Sequence, residues 1–149
     1  LYYKCLSINK ENVYSAEGQI PCRWTTPDRV PHRFMWLWDS AFHAMAFAQY
    51  NVEMAKDCIR AVLSLQREDG FIAHMMSPQG RISDITQPQV LSWGVWEVYQ
   101  SCKDKQFFRE KTMIFEKKTF TLQRIYVEYY FLIDLYRIVI SQKRKYLIY

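Results

Sequence analysis

Two tryptophans and an acid crowd into the stretch FMWLWDSAFHAM (34–45), as Trp36, Trp38 and Asp39. A flat indole packs on the apolar C–H face of a sugar ring. An ionised carboxylate accepts hydroxyl donors in charge-assisted hydrogen bonds. The trio equally fits packing followed by a helix cap, because an aspartate accepts from the orphan N–H groups of a first helical turn. The two roles are compatible, since a carboxylate has about four acceptor positions. Trp36 and Trp38 alternate, so in an extended segment they face opposite ways, one toward a core and one toward a site.

The elements that must position these residues read as helices. Residues 1–12 form a short helix, and 13–34 form a long loop whose Tyr14, Trp24 and Phe34 argue for order. His32 and Arg33 read as loop surface. Asp39 is expected to cap SAFHAMAFAQY, and Asn51 to cap VEMAKDCIRAVLSLQ, with Glu53 favourably placed in the first turn. Val52, Ala55, Ile59, Val62 and Leu63 give that second helix one apolar face. Gly70 is expected to end it in a left-handed stop. Residues 71–87 hold too many turn formers for a helix. Pro88 is expected at the first position of another helix, 88–102. Leu91, Val95 and Val98 lie along one side of it, and Val90, Trp93 or Gly94, and Glu97 along another. Trp93 and Trp96 read as packing. The fold class is therefore all-α, with long connections gathered at one end.

Composition narrows the partners. Half of the 149 residues are apolar, enough for a sizeable core. The net charge of +5 is local to the end of the chain: residues 1–100 hold 9 Lys+Arg against 10 Asp+Glu, and residues 101–149 hold 11 against 5. It gives no reason to expect nucleic acid as the partner of the first two-thirds. The four cysteines show no CxxC spacing, so neither a zinc site nor a redox dithiol is expected, and buried thiols in a reducing, cytoplasmic compartment are. No cofactor is implied. The opening LYYKCLSINK has no signal-peptide core, and the absent initiator Met places the expected start upstream. The run 125–140 is broken by Glu128, Asp134 and Arg137 and is shorter than the ~20 residues of a bilayer span. Oligomeric state is left open.

Past residue 110 the character changes. Every Pro, Gly, Trp and His lies at or before residue 96, and the tail 111–149 is rich in Lys, Ile, Tyr and Phe without turn punctuation. It is read as sequence unrelated to the preceding fold, out of frame or truncated, against a helical hairpin or a basic amphipathic surface. The chain thus divides into 1–110 and 111–149.

Three stretches in order, VYSAEGQIPCRWTTPDRVPHRFMWLWDSAFHAMAF, LSLQREDGFIAHMMSP and SDITQPQVLSWGVWEVY, resemble the start of the catalytic domain of glycoside hydrolase family 63. That group includes processing α-glucosidases and mannosylglycerate or glucosylglycerate hydrolases, and trehalases share its architecture. The resemblance covers roughly residues 8–110. It implies a partial (α/α)6 barrel, with sugar-binding loops at one end, and inverting hydrolysis of α-glucosides or α-mannosides. The family's Trp-Asp-small element matches Trp38, Asp39 and Ser40 and assigns Trp38 and Asp39 to the subsite of the cleaved sugar, with Trp36 divided between core and site. The histidine after GFI matches His74, and the amide of the Ser-Gln-Pro-Pro element matches Gln87. Two positions depart from that element, Thr86 for Ser and Gln89 for the second Pro.

Inverting hydrolysis needs two carboxyl groups about 6.5–9.5 Å apart. The family's Glu-Ser-Gly element bearing the acid, and its later base, have no counterpart here. Beyond residue 100 the acids are Asp104, Glu110, Glu116, Glu128 and Asp134, none in a matching setting. No catalytic residue is assigned, and the chain is expected to be an N-terminal fragment of a glycosidase without hydrolytic activity. A small helical carbohydrate-binding or interaction protein is the alternative, and a basic tail acting at membranes or on nucleic acid is the third reading. As the first hairpins of a toroid, the chain is expected to leave apolar faces uncovered.

Overall fold

A computed structural model describes residues 1–30, 33–88 and 90–110. The tail 111–149, with every reading of its role, lies outside the described residues, as do His32 and Gln89. The helices are α1 (Tyr2–Glu11), α2 (Leu37–Phe47), α3 (Val52–Ser64) and α4 (Leu91–Cys102), and residues 105–110 are helical as well. The all-α expectation needs one amendment, because two short antiparallel pairs organise the loops. β1 (Val13–Tyr14) pairs with β2 (Trp24–Thr25), and β3 (Met35–Trp36) pairs with β4 (Met75–Met76). The expected loop 13–34 is thus folded back on itself, with Trp24 fully buried and stacked on Tyr14 at 4.8 Å.

Helices α2, α3 and α4 pack on one another around a single core. Leu37, Ala41, Ala44 and Phe47 enter it from α2, Leu91, Val95 and Val98 from α4, and Ile20, Trp24, Met35, Ile72 and Met76 from the loops. Each large apolar side chain so buried stabilises by roughly 1.5–3 kcal/mol. Gly94 lets α4 approach α2 closely: a Cβ there would lie 3.2 Å from the Ala41 Cβ and 3.3 Å from its carbonyl oxygen. Trp93 faces outward instead of packing inward, 48 % exposed, with its Nε1 donating to Glu97 Oε1 at 2.9 Å and its ring edge-on to the exposed Phe42.

α3 forms much as its pattern predicts. Asn51 Oδ1 accepts from Met54 N at 3.1 Å, and Ala55, Ile59, Val62 and Leu63 are buried, with Val52 half-buried. Burial extends to two charged residues on the next face. Asp57 accepts from Arg23 Nε at 2.6 Å and Arg60 Nη1 at 3.0 Å, while Lys56 donates to Glu53 at 2.9 Å and Asp104 at 2.8 Å. Asp104 also caps the 105–110 turn by accepting from Phe107 N. Its hydrogen bond to Lys56 holds the Asp104 carboxyl below the usual range.

Three helix ends differ from expectation. α3 stops at Ser64, not at Gly70: Leu65 N donates to Val62 O and Gln66 N to Leu63 O, tightening the last turn. Gly70, at φ 89°, closes the next turn by donating to Arg67 O at 2.9 Å. Pro88 is not the first residue of α4, because the chain makes a separate turn from Pro88 O to Val90 N before the helix. Asp39 is not the cap of α2. The helix starts two residues earlier at Leu37, straight from β3, because distant groups satisfy its first N–H groups: Leu37 N donates to His74 O at 3.1 Å and Trp38 N to Gln87 Oε1 at 3.0 Å.

Candidate functional site

The start of α2 lies where three chain segments meet. The strand β3 delivers Trp36, the first helical turn delivers Trp38 and Asp39, and the loop after β4 delivers Gln87. Together with Pro27 and Asp28 these residues line a concavity of about 340 Å3. That lies at the lower end of small-ligand pockets, which run from ~300 Å3 upward. The tryptophans do not alternate outward and inward, because strand gives way to helix between them. Both reach the pocket.

Asp39 is the third helical residue of α2 and is half-buried. Freed from capping, its carboxylate stands in the first turn, where the helix dipole favours negative charge. Burial nonetheless raises its pKa above the ordinary 3.8, opposed by hydrogen bonds from its own backbone N–H and the Trp38 side chain. Removing water raises the energy of the ionised form and strengthens any hydrogen bond that a ligand then makes to it. Trp38 is 40 % exposed. Gln87 reaches back over 49 residues to fix the backbone of Trp38, so its amide oxygen does the capping work expected of Asp39.

His74 is absent from the lining and stands against Trp36. The two rings meet edge to face, 5.2 Å between centroids and 71° between planes. His74 Nδ1 lies 2.5 Å from Ser83 Oγ and 3.3 Å from Ile85 O. A carbonyl only accepts, so the contact with Ile85 O places a proton on Nδ1. The Trp36 indole nitrogen is itself buried with no hydrogen-bond partner among the described residues, as is Ser40 Oγ.

Asp28 and Pro27 carry no signal in the sequence beyond a turn-rich TTPD, because their place depends on how β2 is anchored. Thr26 N donates to Asn12 O at 3.1 Å, Thr26 Oγ1 to Asp28 O at 2.9 Å, and Val30 N to Asp28 Oδ1 at 3.1 Å. Behind them Thr25 Oγ1 hydrogen-bonds His43 Nδ1 at 2.9 Å, and burial pushes the His43 imidazole down to about 4. Among the described residues there is no His, Cys, Asp and Glu cluster able to hold a metal, and no helix long and apolar enough to cross a membrane.

Residues 31–112, more than half of the chain, match the family described as the mannosylglycerate hydrolase MGH1-like glycoside hydrolase domain. The chain belongs to this family. Two solved structures from Thermus thermophilus are similar to it. A GH63 mannosylglycerate hydrolase in complex with glucose is 26% identical with a TM-score of 0.61, over 78% of this chain and 30% of that one. An uncharacterized conserved protein is 27% identical with a TM-score of 0.60, over 78% of this chain and 29% of that one. The chain therefore spans under a third of the length of these relatives. The MGH1-like match includes Trp36, Trp38, Asp39, His74 and Gln87; Asp28 lies just before it.

Proposed function

We propose that Trp36, Trp38, Asp39 and Gln87 form part of the subsite for the cleaved sugar in an inverting glycoside hydrolase acting on α-glucosides or α-mannosides. In this reading the chain contributes the first helix hairpins of an (α/α)6 toroid. The observation that carries it is the meeting of indoles, carboxylate and amide from separate segments in one concavity of a glycoside hydrolase domain. A pyranose lays its C–H face on Trp38, gives hydroxyl protons to Asp39, and faces Gln87 at the rim. His74 acts through Trp36, holding the indole plane by its edge contact. The glucose held by the solved relative supports a sugar as the partner; neither nucleic acid nor a membrane is invoked.

The catalytic pair is no part of this arrangement. Asp104 is tied to Lys56 and to the turn it caps, and Glu110 accepts from Gln106 Nε2 at 3.1 Å. Glu116, Glu128 and Asp134 lie outside the described residues. The 149-residue chain, read as a fragment of the domain, is expected to bind a monosaccharide without hydrolysing a glycoside. A cytoplasmic setting agrees with its free cysteines, of which Cys58 is fully buried with its thiol pushed up to about 12.

Tryptophan fluorescence titrated with glucose tests binding, and release of an aryl α-glucoside's leaving group tests hydrolysis. A saturable response that Asp39→Ala abolishes, without turnover, is the expected result. Turnover above the D39A control contradicts the assignment of no catalytic residue, and a flat titration contradicts the sugar pocket.

A further inference from the structure

Three exposed aromatic side chains form a continuous strip. Trp38 lines the pocket, and Phe42 stands four residues further along α2, on the same face one helical turn away. Side chains on a helix lean toward its N-terminus, which brings the Phe42 ring back toward Trp38. Beside the close α2–α4 contact at Ala41 and Gly94, the Trp93 ring meets Phe42 edge to face, 6.4 Å between centroids. The Trp93 indole is pinned, because its Nε1 donates to Glu97 Oε1 at 2.9 Å. Trp38, Phe42 and Trp93 are 40 %, 45 % and 48 % exposed. The aromatic surface therefore continues out of the pocket onto the seam between two helices.

The size of the strip decides what it fits. A whole aromatic side chain offers about 150–250 Å2, so three rings exposed by a little under half present roughly 300 Å2. A specific protein–protein interface needs about 800 Å2 from each partner, so the strip is too small to hold a second copy of the chain. It has room for one ring beyond the one seated in the pocket. The C–H face of a pyranose stacks on an aromatic ring, and an indole already held by a hydrogen bond gives up little rotamer freedom when a ligand lands on it. We infer that Phe42 and Trp93 form a stacking platform for a second sugar ring, joined by a glycosidic bond to the ring seated at Trp38 and Asp39. The substrate class is then a glycoside with a ring on both sides of the bond, and not a monosaccharide joined to a small acyclic group. This rests on the sugar-pocket reading above and extends its ligand by one ring.

The test uses the whole 149-residue chain, with glucose and maltose, an α-linked pair of glucose rings, as probes. The readout is the set of indole N–H signals in NMR, with affinities taken from their titration. Maltose is expected to bind about threefold to tenfold more tightly than glucose, the gain that one ring-stacking contact produces. It should shift the Trp93 signal, which glucose leaves in place. Trp93→Ala is expected to bring maltose down to the affinity of glucose and leave glucose itself unchanged, and circular dichroism checks that it still folds. If W93A unfolds, Phe42→Ala and the Trp93 shift in the wild type decide. Equal affinities for the two sugars, with Trp93 unmoved by maltose and glucose binding still lost in D39A, overturn the platform alone. A Trp93 signal that moves with protein concentration, with a dimer in sedimentation that W93A abolishes, overturns it in favour of a second copy. Absence of binding by either sugar overturns the underlying pocket as well.

Discussion

The first turns of α2 and α3 are built in opposite ways. α3 is capped from within, by Asn51 on Met54 N, and its charged neighbours Lys56 and Asp57 are each shared between two ion partners. α2 is capped from outside, by His74 O and Gln87 Oε1, and its first turn carries a part-exposed indole and a half-buried acid outside any ion pair seen among the described residues. One start is closed in on itself and serves stability. The other sets its acid at the concavity, where the proposed function has it meet a sugar, and leans on distant loops for its first N–H groups.

Changes at the α3 end should unfold the protein and leave the folded pocket intact. At this end the largest effect is expected from Asp57→Ala, which removes the mostly buried carboxylate shared by the part-exposed Arg23 and Arg60. A loss of about 1–2 kcal/mol in urea denaturation is expected, because the carboxylate is mostly buried while Arg23 and Arg60 remain 46 % and 39 % exposed. A loss below about 1 kcal/mol would class these pairs with exposed ones.

Behind the pocket the weak point is acid. His43 is neutral in the folded state down to about 4, whereas unfolded histidine takes a proton near 6.5. Above 6.5 the group contributes nothing to pH dependence. As pH falls from 6.5 toward 4 the unfolded state binds the extra proton and stability drops, by roughly 3 kcal/mol at the limit. Denaturation followed over that range should show the slope, and His43→Gln should flatten it. An equal slope in both proteins would remove His43 as the cause.

The sharpest contrast comes from the two caps. Asn51→Ala should cost ~1 kcal/mol of stability and leave glucose affinity unchanged. Gln87→Ala should cost about 1 kcal/mol, since its hydrogen bond to Trp38 N is a neutral one at a part-exposed site, yet abolish most glucose binding. Equal behaviour of the two variants in both assays would erase the distinction between a cap for stability and a cap for function.

What was legible in the sequence follows the same division. α3 could be read from its own residues, because Asn51 and the helical spacing of Ala55, Ile59 and Val62 are local signals. The start of α2 could not, since its caps lie 37 and 49 residues away, and local reasoning gave the capping role to the nearest acid, Asp39. Removing Asp39 from the cap left it available for the pocket, where the family resemblance had also placed it. Trp36 and Trp38 were expected to diverge on the premise of continuous strand, and converge because the helix begins between them. Asp28 was invisible for a related reason. Only the docking of β2, through Thr25 on His43 and Thr26 on Asn12, brings it to the pocket.

The most direct measurement is an NMR titration of the indole N–H signals with glucose. The chain has five tryptophans, so the response reports its own location. Trp36 and Trp38 should shift while Trp24, Trp93 and Trp96 stay fixed, and Asp39→Asn should suppress the response. Shifts confined to Trp93 or Trp96, or an unchanged response in D39N, would contradict a sugar pocket at the start of α2.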